Sequence, residues 1–524
     1  MKDLPTDIGT FSTIIENDYL YVDKTKYIYE MIKPGKKYFL SRPRRFGKSL
    51  LISTLEEVFQ GNKKLFKNLY IYDKWDWNQT YPVIHIDLGN GEYGSINDMK
   101  YSLEDIINRI ARKFCVNTYS KQLSGKFADL IEEIYKKSGK VVILIDEYDK
   151  PIMDNIEDLM LADQIRKVLN SFYNVLKSSD EYIEFIFITG VTKFSKTSIF
   201  SGLNNLTDLT LDCPLICGYS QKELETYFDE RINELASENS ITNEYLLDII
   251  KQWYNGYSYN GKDFLYNPYS ILSLFTKKKF NNYWFETGTP TFLMKFIKNH
   301  VFDVSVLLNP NQVISGSFPD FDIENLDFTT VLLQTGYLTI KKEDYAVGEI
   351  PKYTLGIPNH EVDNSLYTHI LSYYTKQSVG NLPSLADNML NDIIKLDNKA
   401  LQKSFDILFS NIPYSIYKNV KEEIREANYQ MMFLSWMKIL GLEIQGEIST
   451  SKGRMDALLK KNDLVVVIEI KYSLVKSLDK MIHEAMTQIT DKEYYKPYID
   501  KNVILLGVAI KDRDISCELK HLND

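Results

Sequence analysis

The chain has 524 residues, of which 25% are charged and 44% hydrophobic, and its formal net charge is −9. This length is too great for one hydrophobic core, so we expect roughly two to four domains, and the negative charge argues against a wholly basic protein that coats nucleic acid. The four cysteines are few and scattered, which fits a reducing cytosol without a disulfide framework, and we interpret Cys213 and Cys217 as buried thiols and not as part of a zinc site. No stretch reaches the ~20 apolar residues of a membrane span and the N-terminus lacks an apolar signal core, so we expect a cytoplasmic protein without a membrane partner.

A strand, a tight loop and a helix follow one another near the N-terminus. The apolar run from Tyr38 to Leu40 precedes Ser-Arg-Pro-Arg-Arg-Phe-Gly-Lys-Ser at 41–49, and Leu50 begins a helical pattern. In a phosphate-binding loop, backbone N–H groups at the helix start and the lysine bind phosphates, and the next hydroxyl can hold Mg²⁺. The pattern therefore predicts a site for ATP and Mg²⁺, with Ser49 as a metal ligand. The predicted nucleotide-binding residues of the loop are Arg44, Arg45, Phe46, Gly47, Lys48 and Ser49.

One position departs from the usual loop pattern, G-x-x-x-x-G-K-[ST]. Its first glycine falls on Arg42, so the conformational freedom of glycine is missing at one end of the loop. A lysine after a glycine at a helix start could also be a solvated cap without a ligand. Between Lys24 and Lys48 there are nine Lys or Arg residues and one acid, Glu30, which indicates either a local basic site or a solvated basic face.

A second motif supports the nucleotide site. The run from Val141 to Ile145 is wholly apolar, has the length of a strand, and ends in Asp146-Glu147. A buried parallel strand can deliver carboxylates at its C-terminal end to a nucleotide and its Mg²⁺. We therefore predict Asp146 as a nucleotide-binding residue and Mg²⁺ ligand, and Glu147 as the base that orients water. The alternative is an ordinary core strand followed by a charged loop.

Further strands and helices predict an α/β fold. The segment 81–88 is a strand candidate between the two motifs in the chain; an additional strand between them is typical of P-loop ATPases with a carboxylate base, which favours hydrolysis over nucleotide storage. Helical periodicity fills 106–135 and 159–176, as expected for crossover helices. Another strand is predicted at 182–188. Three polar residues at its end, which either sense the terminal phosphate or form a polar turn, are Thr189, Thr192 and Lys193.

Beyond Ser220 the pattern becomes helical and polar up to about Phe275, and we interpret it as a helical lid. Its aromatic turn at 253–257 favours core packing over base stacking, because turn residues rather than Lys and Arg alternate with the aromatic residues. Residues 280–380 suggest a connector with a small sheet. The predicted domains are an ATPase domain at 1–218, a lid at 219–300, a connector at 301–384 and a C-terminal domain at 385–524.

A second group of charged residues lies near the C-terminus. Asp456 precedes a predicted hairpin turn at 460–463, and the returning strand at 464–471 is apolar until Glu469 and Lys471. Residues two apart in a strand share a face, so the hairpin could gather two carboxylates and an ammonium group. Asp456 and Glu469 suit Mg²⁺ as ligands, and Lys471 could orient water or offset phosphate charge. The alternative is an exposed strand face with a salt bridge worth under ~1 kcal/mol.

Several segments resemble a known family. Those at 21–25 (Tyr-Val-Asp-Lys-Thr), 41–49, 144–151 (Leu-Ile-Asp-Glu-Tyr-Asp-Lys-Pro), 253–257 (Trp-Tyr-Asn-Gly-Tyr) and 267–270 (Asn-Pro-Tyr-Ser) are similar to the predicted AAA-ATPase-like proteins of bacteria. Residues 453–456 and 468–471, with Gln488 in the next helix, resemble the PD-(D/E)XK nuclease domain that commonly ends such proteins. The resemblance covers most of the chain, least between 300 and 400. It implies that Asp456, Glu469 and Lys471 are catalytic nuclease residues, with Glu426 and Gln488 as auxiliaries.

We therefore expect an α/β protein: a P-loop NTPase domain with a parallel sheet and helices on both faces, a helical lid, a mixed connector and a C-terminal α/β restriction-endonuclease-like domain. The first functional hypothesis is an ATP-binding and ATP-hydrolysing protein fused to a Mg²⁺-dependent nuclease. Its partner is nucleic acid, expected to be DNA, and its nucleotide state regulates cleavage. The second is a signalling or scaffold ATPase whose nuclease-like domain only binds nucleic acid or a protein. Assembly into a homo-oligomer is left open.

Overall fold

The computed structural model describes residues 1–33, 36–194, 199, 205–286, 293, 313–315, 327–410, 422–440, 443–445, 448–449, 454–461, 463–493, 495–512 and 514–522. The chain divides into two compact units. The first contains residues 1–292 and 311–361, and the second contains residues 293–310 and 362–524.

The first unit is built on a five-stranded parallel sheet. Its strands are β1 (Lys37–Ser41), β2 (Val83–Asp87), β3 (Val141–Asp146), β4 (Ile183–Gly190) and β5 (Leu206–Asp208), in the spatial order β2-β3-β4-β1-β5. All neighbouring strands run parallel. Every residue of β1 and β3 is buried, because continuous apolar runs suit strands that are covered on both faces. The two motifs therefore begin at the same carboxyl edge of one sheet.

The strand between the two motif strands is β4. It pairs with β1 on one side and with β3 on the other, whereas β2 lies beyond β3. The segment near Tyr81 thus forms the predicted strand but is not the additional strand between the motifs in the sheet. A parallel crossover need not join neighbouring strands, so chain order alone does not reveal sheet order.

Helices form much of the rest of the first unit, and several of them contact the parallel sheet. They are α1 (Phe11–Glu16), α2 (Thr25–Met31), α3 (Lys48–Phe59), α4 (Ile96–Phe114), α5 (Leu123–Ser138), α6 (Lys150–Met153), α7 (Leu159–Tyr173), α8 (Val175–Ser178), α9 (Gln221–Tyr227), α10 (Asp229–Glu238), α11 (Asn243–Tyr254), α12 (Pro268–Lys277), α13 (Tyr283–Glu286) and α14 (Phe328–Thr335). The helical stretches predicted at 106–135 and 159–176 correspond to α4 with α5 and to α7 with α8, respectively.

The segment interpreted as a lid has its own apolar core. The short strands β6 (Tyr219–Ser220) and β7 (Leu265–Tyr266) pair antiparallel, and residues of α9 to α13 pack around Tyr254 and Tyr266. Both tyrosines are 0% exposed, so the interpretation of the aromatic turn as core packing is confirmed.

Cys217 is buried but Cys213 is only half-buried. Burial raises the pKa of Cys213 to about 11, so this thiol is protonated at neutral pH.

A small antiparallel sheet also belongs to the first unit. It contains β8 (Val313–Ser315), β9 (Thr339–Asp344) and β10 (Lys352–Gly356) in the order β8-β10-β9. The small sheet expected in this region is therefore present, while the connector as a domain and the other domain borders stay predictions.

The second unit contains a mixed six-stranded sheet. Its strands are β11 (Glu443–Gln445), β12 (Ile448–Ser449), β13 (Arg454–Lys461), β14 (Leu464–Tyr472), β15 (Asn502–Lys511) and β16 (Asp514–His521), in the order β11-β13-β14-β15-β16 with β12 paired to β13. The predicted hairpin is confirmed, since β13 and β14 pair antiparallel. Its helices are α15 (His360–Thr375), which starts at the boundary of the units, α16 (Leu382–Ile394), α17 (Asn398–Ser410), α18 (Glu422–Ile439) and α19 (Leu478–Lys492).

Helix α19 is the crossover that allows β14 and β15 to run parallel. It packs on these strands through an apolar cluster comprising Val465, Val467, Ile489, Val503 and Leu505. Val465 and Val467 share a strand face with Glu469 and Lys471, because side chains in a strand alternate with a period of two. The apolar part of this face is therefore covered by α19, and its charged end follows directly.

Candidate nucleotide and nuclease sites

The phosphate-loop candidate joins β1 to α3 at the carboxyl edge of the parallel sheet. Gly47 is the N-cap of α3 with φ of 92°, and Arg45 has φ of 64°, so both adopt the left-handed conformation, which is strained for a residue other than glycine. The Lys48 side chain is buried, and its Nζ donates to the backbone oxygens of Arg42 and Pro43, both at 3.0 Å. The loop thus curls around the ammonium group of Lys48.

Burial lowers the pKa of Lys48, and the carboxylates of Asp146, Glu147 and Asp149 oppose this shift. Ser49 follows in the first turn of α3 and is exposed. Arg44 and Arg45 are exposed as well. The loop therefore combines a buried ammonium group with accessible basic and hydroxyl groups, which is a donor set suited to a polyphosphate.

Aromatic side chains hold the other side of the loop. Phe46 is 1% exposed and packs edge to face on Tyr257, with ring centroids 4.9 Å apart. The indole Nε1 of Trp284 donates to the backbone oxygen of Arg44 at 3.2 Å. The guanidinium of Arg45 lies over the ring of Tyr269, 4.7 Å from its centroid. Among the predicted nucleotide-binding residues, Phe46 therefore uses its side chain for packing.

Arg42, which replaces the first glycine of the usual loop pattern, points into the protein. It is 0% exposed, and its guanidinium donates to the backbone oxygens of Ser41 at 2.8 Å and of Thr210 and Cys213 at 2.9 Å. The guanidinium also lies over the ring of Tyr259 at 3.7 Å. Arg42 therefore anchors the segment that follows β5 to the base of the phosphate loop.

We expect Arg42→Ala to lower the free energy of unfolding by about 2–4 kcal/mol, because buried carbonyl oxygens lose a charged donor and the arginine stem loses its packing. Urea unfolding followed by the fluorescence of the tryptophans in the first unit measures the change. Arg109→Ala is the matched control, since Arg109 is exposed and pairs with Asp105 on the same helix; its effect should be under about 0.5 kcal/mol. An Arg42 variant as stable as this control would contradict the anchoring role.

The carboxyl end of β3 brings acidic groups to the same edge. Asp146 is buried, and its Oδ1 accepts the hydroxyl of Thr189 at 2.6 Å and the backbone N–H of Glu147 at 3.0 Å. Glu147 has φ of 51°. Burial raises the pKa of Glu147; Lys48 opposes this shift, and neighbouring carboxylates add to it. Thr189 thus contacts Asp146 at the carboxyl edge of the sheet, and its role as a sensor of the terminal phosphate stays a prediction.

Two residues of this motif received no role from the sequence. Tyr148 and Asp149 directly follow Glu147, and both are buried. Asp149 binds Thr192, whereas Lys193 forms an ion pair with Asp208 at 3.0 Å. The sequence does show a carboxylate two residues beyond Glu147. Its role was not predictable, because its partner Thr192 lies 43 residues later in the chain.

The second group of charged residues lies at the end of the β13–β14 hairpin. The register pairs Asp456 with Glu469 and Arg454 with Lys471, and residues directly opposite on antiparallel strands share a face. Glu469 is 1% exposed, and its Oε1 lies 2.5 Å from the Nζ of Lys471. Lys471 also donates to Oε1 of Gln488 in α19. Glu469, Lys471 and Gln488 therefore form one chain of contacts.

Two predicted residues are placed by the backbone alone. Asp456 lies in β13 and Glu426 lies in α18, and the side chains of both are outside the described residues.

The Nε2 of Gln488 is buried and has no hydrogen-bond partner in the described part of the chain. Its amide group is therefore oriented by the bond that its oxygen accepts from Lys471.

The oxygen atoms at both sites fit Mg²⁺ in chemical type. Asp146 and Ser49 supply a carboxylate and a hydroxyl, and Glu469 with Asp456 supplies two carboxylates, which are the hard ligands that Mg²⁺ prefers. Among the residues whose side chains are described, no three His, Cys, Asp or Glu side chains form a metal site. Water and phosphate oxygens commonly complete the coordination of Mg²⁺ in proteins.

Fold and site together define two classes of domain. The first unit is a P-loop type of nucleotide-binding domain, and the hairpin, crossover helix and parallel strand of the second form an α/β nuclease-type core. A family model described as predicted AAA-ATPase matches residues 5–200, and one described as PD-(D/E)XK nuclease superfamily matches residues 424–518. The chain belongs to this family of predicted AAA-ATPases and ends in a PD-(D/E)XK nuclease superfamily domain.

A relative from Azotobacter chroococcum mcd 1, named as an uncharacterized protein in the vnfD 5′ region, is 35% identical over 514 residues. The match covers 97% of this chain and 96% of the relative. A solved structure of the Aeropyrum pernix ORC1 protein in complex with DNA is 8% identical and covers 66% of this chain and 91% of its own, with a TM-score of 0.24; this agreement is too low to support an argument. Within the described residues, no helix combines the length and apolar character needed to cross a membrane.

Proposed function

We propose that this protein is an ATP-regulated nuclease. The first unit binds and hydrolyses ATP with Mg²⁺, and the second cleaves phosphodiester bonds in DNA with Mg²⁺ under control of the nucleotide state. The observation that carries the proposal is the 2.5 Å contact between Lys471 and Glu469, opposite Asp456 in the hairpin. Charged groups at the end of an otherwise apolar strand are costly to bury, so a catalytic use explains their position better than stability does.

Each residue of the proposed ATP site has a distinct role. Backbone N–H groups of residues 44–47 and the ammonium group of Lys48 bind the phosphates, and Ser49 and Asp146 hold Mg²⁺. Thr189 orients Asp146 through its hydroxyl. Glu147 orients the attacking water and accepts its proton. Bound Mg²⁺ supplies neutralisation of phosphate charge.

We expect Glu147→Gln to bind ATP with nearly unchanged affinity but to hydrolyse it about 10²–10⁴-fold more slowly, because the amide keeps the size of the side chain and cannot accept the proton. Phosphate release and titration calorimetry measure the two quantities. Glu92→Gln is the control, since Glu92 is exposed in the loop after β2. Hydrolysis by Glu147→Gln at the unmodified rate would assign the base elsewhere.

In the proposed nuclease site, Asp456 and Glu469 hold Mg²⁺, and Lys471 orients the attacking water or offsets charge on the phosphate. Gln488 is an auxiliary residue that holds the ammonium group of Lys471 in place. Glu426 is a second auxiliary, contributed by α18. Bound Mg²⁺ supplies Lewis-acid activation of the phosphate and of the water.

Incubation of plasmid, single-stranded DNA and RNA of the same sequence tests this function. Each substrate is treated with Mg²⁺ or EDTA, in the presence and absence of ATP. We expect cleavage of DNA that requires Mg²⁺ and changes in rate with ATP. Cleavage at the same rate with and without ATP would refute the proposed regulation by nucleotide. Intact substrates under every condition would refute the proposed nuclease activity.

The burial of Glu469 favours a second function. A carboxylate that is 1% exposed is poorly accessible to a metal ion from solvent. This suits a signalling or scaffold ATPase whose nuclease-like domain binds nucleic acid or a protein without cutting. Titration calorimetry with Mn²⁺ separates the two functions. Metal binding that Glu469→Gln abolishes supports the nuclease, whereas DNA binding without metal binding or cleavage supports the alternative.

A further inference from the structure

The carboxylate of Asp149 joins the end of β3 to the turn that follows β4. It is 2% exposed and accepts the backbone N–H of Val191 at 3.1 Å, the backbone N–H of Thr192 at 2.6 Å and the hydroxyl of Thr192 at 2.5 Å. These partners lie about 42 residues later in the chain. One buried carboxylate thus receives three donors from two consecutive residues.

Tyr148 also forms hydrogen bonds with this turn, and we refer to the contacts of Tyr148 and Asp149 with the turn as the junction. Its backbone N–H donates to the backbone oxygen of Thr189 at 3.1 Å. Its hydroxyl donates to the backbone oxygen of Thr192 and accepts the backbone N–H of Phe194, both at 3.0 Å. A Cβ on Gly190 would lie 2.5 Å from Oδ1 of Asp149 and 2.6 Å from the ring of Tyr148. The turn can therefore approach these side chains closely only because residue 190 is glycine.

The junction determines where Thr189 lies. Thr189 is bonded through its backbone to Tyr148 and precedes the segment that Asp149 holds, and its hydroxyl donates to Asp146 at 2.6 Å. Displacement of residues 190–192 would therefore move the hydroxyl relative to Asp146. Among the contacts described, the side chain of Asp149 does not bond to Asp146 or to the Thr189 hydroxyl. It acts indirectly, by holding the residues that follow Thr189.

The charge of Asp149 also needs an explanation. Its recorded hydrogen bonds, within the described residues, come from neutral N–H and O–H donors, and a neutral side chain would cost less to bury. The ammonium group of Lys48 acts on Asp149 electrostatically. Burial raises the pKa of Asp149, and the hydrogen bonds from Thr192 and Val191, together with Lys48, oppose this shift, so the donors of the turn offset part of the cost of burying the carboxylate.

We infer that Asp149 is a positioning residue for ATP hydrolysis, which holds the turn after β4 so that Thr189 stays against Asp146. This inference rests on the proposed ATPase function and adds a residue to which no role was assigned. It predicts that the catalytic rate depends on Asp149 much more than ATP affinity does, because the hydrogen bonds of its carboxylate go to Val191 and Thr192 and not to the phosphate loop.

The test uses the full chain with four substitutions, Asp149→Asn, Thr192→Val, Thr192→Ser and the control Asp154→Asn. The control carboxylate is exposed and pairs with Lys150 at 2.8 Å. An asparagine at 149 can keep one oxygen against Thr192 but places an amide N–H where Oδ1 accepts the N–H of Val191 at 3.2 Å, whereas valine at 192 removes a donor and serine keeps it. We expect kcat for ATP hydrolysis to fall about tenfold to hundredfold in Asp149→Asn and Thr192→Val, with KM changed by less than about threefold and with near-normal kcat in Thr192→Ser and the control.

The outcomes separate this inference from the proposed function. Hydrolysis by the unmodified chain with unchanged kcat in Asp149→Asn and Thr192→Val would overturn the inference alone. A loss of ATP affinity in proportion to kcat, or an equal loss in Thr192→Ser and Thr192→Val, would also overturn it, because either result indicates general disruption of the fold. An unmodified chain that binds ATP but does not hydrolyse it would overturn both.

Discussion

Replacement of Lys471 with alanine is expected to reduce DNA cleavage by at least about a hundredfold. The substitution removes the ammonium group that lies 2.5 Å from Glu469 and contacts Gln488. In the proposed reaction this group orients water or offsets charge on the phosphate, so its loss should act on the rate of cleavage. The conversion of supercoiled plasmid to nicked and linear forms measures that rate.

Stability must be separated from chemistry in this experiment. Glu469 is buried, and removal of the partner of a buried charge can destabilise a protein by about 3–5 kcal/mol. Lys471→Met, which keeps the aliphatic stem, and circular dichroism melting distinguish a folded inactive protein from an unfolded one. Lys520→Ala, at an exposed position of β16, is the control. Undiminished cutting by folded Lys471→Ala would remove Lys471 from the nuclease site.

The second large effect is expected at the phosphate loop. Lys48→Ala should abolish ATP binding measurable by calorimetry, with a loss of at least about a hundredfold in affinity, or about 2.7 kcal/mol. Lys48 is the buried cation around which the loop curls, and ATP phosphates would compete with the backbone oxygens of Arg42 and Pro43 for its ammonium group. Its loss removes both the charge and the organisation of the loop.

A matched lysine controls for the change in net charge. Lys67 is exposed immediately after the 3₁₀ turn that ends at Phe66, and Lys67→Ala should bind ATP normally. Thermal unfolding of both variants shows whether the loop substitution disturbs the fold. Retained ATP affinity in Lys48→Ala would mean that the loop does not bind phosphates in the proposed way.

Local patterns predicted the strands that carry the candidate sites. β3 and β14 are apolar runs that end in charged residues, and their bounds follow from side-chain type along a few consecutive positions. The proximity of Glu469 and Lys471 was also predictable, because a period of two is a property of any strand. The predicted roles of these residues await the experiments above.

Contacts between distant segments could not be predicted in the same way. The position of β4 between β1 and β3 depends on which strands pair across the whole sheet. Arg42 interrupts the usual loop pattern in the sequence, but its partners Thr210 and Cys213 identify it as an anchor. Asp149 likewise has no visible role until the turn at Val191 and Thr192 is brought against it.

The sequence by itself determined the chemical inventory: two apolar strands ending in acids, a glycine–lysine–serine loop before a helix, and a hairpin that carries Asp456, Glu469 and Lys471. Only the tertiary structure decided that Thr189 meets Asp146, that Asp149 holds the turn beyond Thr189, and that Gln488 reaches Lys471. The physical reason is that alternation along a strand is local, whereas strand order and helix packing depend on the burial of apolar surface contributed by the whole unit.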